Sequence, residues 1–242
     1  MNESRRQRIL QIESVSRYSN YYLGRCYTWV ATPLTEFLAR KNVHPNVITI
    51  FSLLLALIAS LMFAEGEGYV VRFGAIILYI SYVFDWCDGQ LARFTGKVSA
   101  FGGWLDQLSD RTKEFFYVAS IAIGGYKRFG DVSLLGAAML ALFLLFLLEY
   151  YGQMSRQIPE PRVEEVEATG QLEKTAVSSR NKKRFVIDFS IDEQYAFVVI
   201  AMLVGTPAFA LWGIVLLAGL MAVYKPTKSW TRYFQWKRRG EQ

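Results

Sequence analysis

Histidine and cysteine are scarce in this chain of 242 residues, which has one histidine, His44, and two cysteines, Cys26 and Cys87. Such a set excludes a zinc site built from Cys and His, and it offers no basis for a disulfide framework. Residues 1–24 lack the continuous apolar core and the small-residue cleavage site of a secretory signal, so we expect them to stay on the mature protein. No Gly/Ser-rich or Pro-rich linker and no repeat of fixed period divides the chain, which predicts a single domain.

Apolar residues, by contrast, are abundant: 52% of the chain is hydrophobic and 15% is aromatic, which indicates a bilayer environment. The formal charge is +6, and its distribution decides how it is interpreted. Lys and Arg gather in short segments between apolar runs, as is typical of cytoplasmic loops, and not along a face suited to a duplex. We therefore expect membrane lipids, and not nucleic acid, as partners.

Six apolar segments are candidates for membrane-spanning helices and predict an all-α membrane protein. They comprise residues 46–64, 69–84, 115–125, 132–148, 195–204 and 208–224, and the third continues a helix that begins near Phe101. The fifth is short for a span unless its helix begins at about residues 188–192, and residues 205–207 supply a tight turn before the sixth.

Charge parity predicts the topology of these six spans. They place four basic segments on one side of the membrane: residues 1–44, 93–99, 156–188 and 224–242. The connections on the opposite side, at residues 65–68 and 205–207, carry no Lys or Arg. Lys127 and Arg128, after the third span, are an exception to the rule that basic residues stay on the cytoplasmic side. Both termini and the site described below are accordingly predicted to be cytoplasmic.

The N-terminal segment, residues 1–44, mixes basic, apolar and aromatic residues, which predicts amphipathic helices in the interface plane. An additional span through residues 23–38 is the alternative, but Arg25, Pro33 and Glu36 interrupt its apolar run. The predicted organisation is thus an interfacial segment 1–44, a six-helix catalytic domain 45–225 and a basic tail 226–242. Within that domain, the charged composition of residues 155–188 predicts a mobile cytoplasmic loop.

Four aspartates lie beside apolar helices, where carboxylates are costly and therefore call for a function. Asp85 and Asp88 are three residues apart and Asp106 and Asp110 are four apart, so each pair lies on one face of its helix. If the chain turns between Arg93 and Phe101, two antiparallel helices direct all four carboxylates into one cleft. Four anions in one cleft repel one another unless cations intervene, and all-oxygen ligation suits Mg²⁺ or Mn²⁺.

The residues between the two pairs suit a phosphate-bearing ligand. Gly89 and Ala92 keep the helix surface small, Arg93 offers a forked donor, and Lys97 and Ser99 add a charge and a hydroxyl. Small residues also serve helix packing, and a single Arg at a membrane edge is often a topology anchor. Neither alternative explains four phased aspartates.

Residues 85–110 have the pattern D-x2-D-G-x2-A-R-x8-G-x3-D-x3-D, which resembles the signature of the CDP-alcohol phosphotransferases. All eight fixed positions are filled, by Asp85, Asp88, Gly89, Ala92, Arg93, Gly102, Asp106 and Asp110. Residues 44–49, HPNVIT, are similar to the segment that opens the first span in many members. The resemblance implies a membrane enzyme, typically a homodimer, that transfers a substituted phosphate group from a CDP-linked donor, most often CDP-diacylglycerol, to an alcohol and releases CMP.

The resemblance also implies roles for individual residues. Asp85, Asp88 and Asp106 would be the main ligands of two divalent ions, with Asp110 near the second ion and acting as the general base on the acceptor hydroxyl. The CDP part of the donor would contact six further residues: Gly89, Ala92, Arg93, Ser99, Asn46 and Thr49.

The acceptor is less narrowly specified. An Asp-Arg pair like Asp110-Arg111 occurs in inositol-type members, which favours inositol or its phosphate over glycerol phosphate, serine or an aminoalcohol. Arg111, Lys113 and Arg156 would bind an acceptor phosphate, although a structural ion pair with Glu114 or Glu149 explains them almost as well. An intramembrane cation or proton transporter and a catalytically silent scaffold are the competing functions; the clustering of the aspartates near one face, beside Arg93, argues against transport.

Overall fold

The computed structural model describes residues 3–16, 21–155, 189 and 191–240, and within these ranges it contains helices and turns but no strand. The described helices are α1 (Glu3–Ser14), α2 (Tyr21–Arg40), α3 (Pro45–Glu65), α4 (Gly68–Phe94), α5 (Ala100–Phe129), α6 (Ser133–Ser155), α7 (Ile191–Val204) and α8 (Pro207–Gly240). The all-α prediction is confirmed. The predicted loop 155–188, including Arg156, lies outside the described residues except for Ser155.

Among the described helices, four are long and apolar enough to cross a membrane: α3, α4, α6 and the Pro207–Thr231 part of α8. The integral membrane character is thereby supported, whereas the predicted count of six spans is not confirmed. The two remaining candidates depart for different reasons. α5 carries several charged residues of the aspartate segment in its first half, and α7 has only 14 residues.

Two helices are longer than their apolar segments. α4 continues past Phe84 to Phe94, because nothing in the aspartate segment breaks a helix before Gly96, which takes a positive φ of 69°. α8 continues through Pro226 to Gly240, so the described part of the predicted basic tail is a continuation of the last helix.

α3 packs against both α4 and α5, and this three-helix unit positions the aspartates. Small residues permit the close approach: a Cβ atom on Gly124 of α5 would lie 1.9 Å from the carbonyl oxygen of Phe63 on α3. The same core contains Ala56, Ala59 and the fully buried ring of Tyr117. α7 packs against α4, and α6 packs against α5 and α8.

The N-terminal helices lie against α4, and one buried side chain of α4 joins them. Gln90 donates to the hydroxyls of Ser16 (2.8 Å) and Thr32 (3.2 Å) and accepts a bond from Thr35 (2.8 Å). α1 is also tied to α2 by Arg5, whose Nε lies 3.5 Å from Glu36. These contacts fix the N-terminal segment to the helix that carries Asp85 and Asp88.

Candidate active site

Three of the four aspartates converge where the C-terminal end of α4 and the N-terminal end of α5 lie close together. One carboxylate oxygen from each of Asp85, Asp88 and Asp106 lies within 4.8 Å of the others. Residues 95–99 join the C-terminal end of α4, which carries Asp85 and Asp88, to the N-terminal end of α5, which carries Asp106. The 3-residue spacing of Asp85 and Asp88 places both carboxylates on one face of α4, where they meet Asp106 of α5.

Hydroxyl groups of α3 orient two of these carboxylates. The Thr49 hydroxyl donates to Asp88 Oδ2 (2.6 Å) and that of Ser52 donates to Asp85 Oδ1 (3.3 Å). Ser81 of α4 donates in turn to the Ser52 carbonyl oxygen (2.7 Å), which joins the two helices at this level. Thr49, predicted as a donor contact, therefore faces a predicted metal ligand, as side chains that orient metal ligands commonly do.

Asp110, the fourth aspartate, lies beside Lys113. Lys113 is buried, with 1% of its side chain exposed; it donates a hydrogen bond to Asp85 Oδ1, and its Nζ lies 3.5 Å from Asp110 Oδ1. Within the described part of the chain, Asp110 Oδ1 is buried without a hydrogen-bond partner. Sequence reasoning did not predict the contact with the aspartates, although the spacing of Asp110 and Lys113 by three residues signals it.

The residues predicted to contact the CDP-linked donor lie around two glycines, Gly89 and Gly102. Arg93 donates from Nε to the Val15 carbonyl oxygen (2.8 Å), and its guanidinium lies over Gly89, where a Cβ atom would be 3.2 Å from Nη1. Ser99 caps α5 by accepting a bond from the Gly102 amide (3.0 Å). A Cβ atom on Gly102 would lie 3.3 Å from Asn46 Oδ1. The structure thus places Asn46 and Ser99 together at the start of α5, whereas Ala92 lies half-buried in the last turn of α4. Their contacts with a donor stay predictions.

A polar network next to Asp110 joins α5 to α7. Arg111 forms an ion pair with Glu114, as the structural alternative anticipated. Gln194 of α7 donates to Glu114 Oε1 (3.0 Å) and to the Tyr117 hydroxyl. Sequence reasoning missed Tyr117 and Gln194, because α7 shows no motif that links it to the aspartates. The acceptor role of Arg111 and Lys113 stays a prediction, and that of Arg156 falls outside the described residues.

The ligand atoms that converge at this site suit a hard divalent cation. Carboxylate oxygens converge, α3 hydroxyls hold two of the carboxylates, and no imidazole or thiolate is among the converging groups of the described residues. Mg²⁺ and Mn²⁺ prefer such ligands.

The sequence profile of the CDP-alcohol phosphatidyltransferases matches residues 42–204. The chain belongs to this family. The matched region contains all four aspartates, the hydroxyl-bearing residues Thr49 and Ser52, and Lys113. The family resemblance of residues 85–110 is thereby confirmed.

Curated relatives in this family include two archaetidylinositol phosphate synthases. That of Pyrococcus horikoshii is 41% identical over 98 residues, which cover 40% of this chain and 50% of the relative. That of Aeropyrum pernix is 28% identical over 130 residues, or 53% of this chain and 63% of the relative. The matches therefore span less than two thirds of either protein's length. A phosphatidylinositol phosphate synthase from Streptomyces avermitilis is 31% identical over 96 residues, or 39% of this chain and 38% of the relative.

Solved structures of the phosphatidylinositol phosphate synthase of Mycobacterium tuberculosis share the fold. The structure with CDP-DAG bound gives a TM-score of 0.63 at 18% identity, covering 84% of this chain and 94% of that one. The complex with manganese and citrate gives 0.60 at 20% identity, with coverage of 83% and 89%.

Proposed function

We propose that this protein transfers a substituted phosphate group from a CDP-linked lipid, CDP-diacylglycerol or a similar CDP-lipid, to a hydroxyl of a polyol phosphate of the inositol type, with release of CMP. The observation that carries the proposal is the convergence of Asp85, Asp88 and Asp106 within 4.8 Å, in the region that matches the family profile. A carboxylate cluster held where the end of α4 meets the start of α5 suits a diphosphate that is presented from the membrane surface.

Asp85, Asp88 and Asp106 would hold Mg²⁺ or Mn²⁺, which supplies charge neutralisation of the diphosphate and of the leaving oxygen. The protein residues orient and accept protons. Thr49 and Ser52 hold two carboxylates in place through their hydroxyls. Arg93 lies on the next turn of α4 beyond Gly89 and offers donors to phosphate oxygens.

Asp110 is the proposed general base. The acceptor oxygen bonds to the lipid-linked phosphorus, the bond from that phosphorus to CMP breaks, and the acceptor proton passes to Asp110. We expect positioning and electrostatics to contribute most of the rate enhancement.

The inositol-type acceptor is supported by the names of the relatives and by Arg111 directly after Asp110. Arg111 is paired with Glu114, and Gln194 and Tyr117 complete a polar network next to the proposed base. Hydroxyl and phosphate groups of a polyol phosphate match these donors and acceptors. Glycerol phosphate is the alternative acceptor.

The arrangement in the membrane is part of the proposal. α5 and α7 would cross together with the four apolar helices, which places the aspartate cluster and both termini on the cytoplasmic side. The N-terminal helices would lie in the interface, and the division at residues 44 and 225 stands as proposed. The expected homodimer is a further proposal, and light scattering of the protein in detergent would contradict it if the protein mass were that of one chain.

The function is tested by incubating purified protein with CDP-diacylglycerol and, separately, inositol, inositol phosphate, glycerol phosphate and serine, while CMP is measured. We expect release of CMP with inositol phosphate, complete loss with EDTA, and recovery with Mg²⁺ or Mn²⁺. Asp88→Asn should abolish release, whereas Asp131→Asn, in the exposed turn after α5, should not change it. Undiminished turnover in EDTA or in Asp88→Asn would overturn the proposed mechanism.

A further inference from the structure

We propose that Gln90 and Ser16 are positioning residues for the donor side of the site. They hold the end of α1 in the place from which the Val15 carbonyl oxygen fixes the guanidinium of Arg93. The placed guanidinium sets the affinity for the diphosphate of the CDP-linked donor and leaves the acceptor unaffected. The inference rests on the proposed function and adds residues to that same site. The family profile begins at residue 42, so it assigns no role to α1.

Arg93 is held through one edge of its guanidinium. Its Nε donates to the Val15 carbonyl oxygen (2.8 Å), directly after the end of α1 at Ser14. Its Nη1 and Nη2 atoms lie over Gly89, where a Cβ atom would be 3.2 and 3.3 Å from them, and its charge acts on Asp106. A guanidinium binds phosphate oxygens through donors that lie in one plane. A bond that fixes Nε therefore also fixes the plane that is presented to a phosphate.

The Val15 carbonyl oxygen is in turn fixed by the residue that follows it. This oxygen belongs to the planar peptide group that joins Val15 to Ser16, so the placement of Ser16 determines where it points. Ser16 is buried, and its hydroxyl accepts a bond from Gln90 Nε2 (2.8 Å) and donates to the Ile12 carbonyl oxygen (3.0 Å). Ser16 is thereby bonded to α4 and to the last turn of α1 at the same time.

Gln90 can hold Ser16 because α2 holds Gln90. The side chain of Gln90 is fully buried; Nε2 also donates to Thr32 (3.2 Å), and Oε1 accepts a bond from Thr35 (2.8 Å). With two bonds from its amide nitrogen and one to its carbonyl oxygen, the side chain has a single favoured orientation. Gln90 precedes Arg93 by three residues and lies on the same face of α4. It occupies a variable position of the signature, so the pattern itself does not call for it.

Removing the Ser16 hydroxyl should shift this end of α1 without detaching the helix. Ile12 stays fully buried, and Arg5 stays paired with Glu36 of α2. The Gln90 amide, by contrast, loses an acceptor inside the protein, which is costly enough to make the side chain and its neighbours rearrange. The expected result is a less precisely placed Arg93 in an otherwise folded protein.

The test compares Ser16→Ala with Ser14→Ala in the full chain. Ser14 lies on the same helix but is exposed, and its hydroxyl donates to the Gln11 carbonyl oxygen (2.7 Å). CMP release is measured in mixed micelles while the mole fraction of CDP-diacylglycerol and the concentration of inositol phosphate are varied separately. We expect Ser16→Ala to raise the KM for CDP-diacylglycerol about tenfold and to leave the KM for inositol phosphate unchanged. Ser14→Ala should match the wild type for both substrates.

A second measurement does not depend on turnover. Calorimetric titration with CDP in the presence of Mn²⁺ should show a similar loss of affinity in Ser16→Ala, and Ser16→Thr, which keeps the hydroxyl, should bind CDP more tightly than Ser16→Ala. In an Arg93→Gln background, Ser16→Ala should weaken CDP binding by less than about twofold, because its effect passes through Arg93. If circular dichroism and gel filtration show that Ser16→Ala does not fold, Gln90→Met removes the same hydrogen bond from α4 and takes its place.

The outcomes separate the inference from the function on which it rests. The positioning role would be overturned by an unchanged KM for CDP-diacylglycerol in folded Ser16→Ala, by an equal rise in the KM of both substrates, by a Ser16→Thr variant that binds CDP no better than Ser16→Ala, or by effects that multiply with Arg93→Gln. In each case CMP release by the wild type would leave the proposed function standing. A wild-type protein that released no CMP would overturn the proposed function, and CDP binding would then decide the positioning role.

Discussion

Asp110 has different surroundings from the three aspartates that precede it in the chain. Oxygens of Asp85, Asp88 and Asp106 converge, whereas Asp110 Oδ1 lies 3.5 Å from Lys113 Nζ and is buried without a hydrogen-bond partner among the described residues. An oxygen of this kind suits an acceptor hydroxyl, which would donate to it when bound. The geometry therefore supports distinct tasks for neighbouring carboxylates: three for the ion and one for the proton.

Replacing Asp110 should separate these tasks. We expect Asp110→Asn to lower the rate of CMP release by about 10²–10⁴-fold, the usual contribution of a general base. Binding of Mn²⁺ should persist, because the converging carboxylates are unchanged. The measurement is turnover with inositol phosphate together with Mn²⁺ titration, and Asp131→Asn is the control. A variant that turned over at the wild-type rate would remove Asp110 from the reaction.

Site residues could be predicted from the sequence where their spacing within one helix is informative, but not where a contact depends on the packing of separate helices. The sequence predicted the two aspartate pairs, Gly89 and Arg93, because residues spaced by three or four positions lie on the same face of a helix. The contacts of Thr49 with Asp88 and of Gln194 with Glu114 depend on which helices pack together, and they span 39 and 80 residues of sequence. No local pattern encodes such contacts.

At the scale of elements, α5 combines two environments in one helix. Its first half carries Asp106, Asp110 and Lys113, and its second half is apolar as far as Gly125. These charged residues keep α5 out of the set of helices that are apolar enough to span a membrane. Two charged residues of α5 are nevertheless buried against neighbouring helices, because Lys113 bonds to Asp85 of α4 and Glu114 bonds to Gln194 of α7. The turn expected between Arg93 and Phe101 agrees with the observed bounds, since α4 ends at Phe94 and α5 begins at Ala100. The continuation of α8 past Pro226 was not predicted.

The orientation of α5 can be measured directly. In a Cys26→Ser background, which leaves only the buried Cys87, single cysteines are introduced at Val98 before α5 and at Asp131 after it. If α5 spans the membrane, a membrane-impermeant maleimide labels Asp131→Cys in intact cells, and Val98→Cys only after permeabilisation. Glu67→Cys, between α3 and α4, is the control for the outer side. Labelling of both positions from the same side would contradict a spanning α5.

At the scale of the whole molecule, the family profile covers residues 42–204 and leaves α1, α2 and α8 largely outside. The N-terminal helices are nevertheless joined to the site through Gln90 and through Arg93, which bonds to the Val15 carbonyl oxygen. Loss of this segment would therefore disturb the donor side of the cluster. The reaction class was predictable from one 26-residue pattern. The acceptor was not, because the residues proposed to contact it are not collected in one local pattern, and Arg156 lies outside the described residues.

The central claim is that α4 and α5 present the carboxylates of Asp85, Asp88 and Asp106 to a divalent ion. Anomalous diffraction at the manganese edge, from crystals of the full chain grown with Mn²⁺ and CDP, tests it most directly. The account predicts a peak within bonding distance of Asp85, Asp88 and Asp106 and beside the CDP diphosphate. A peak bound elsewhere, or CDP held in the cleft without any peak, would contradict it.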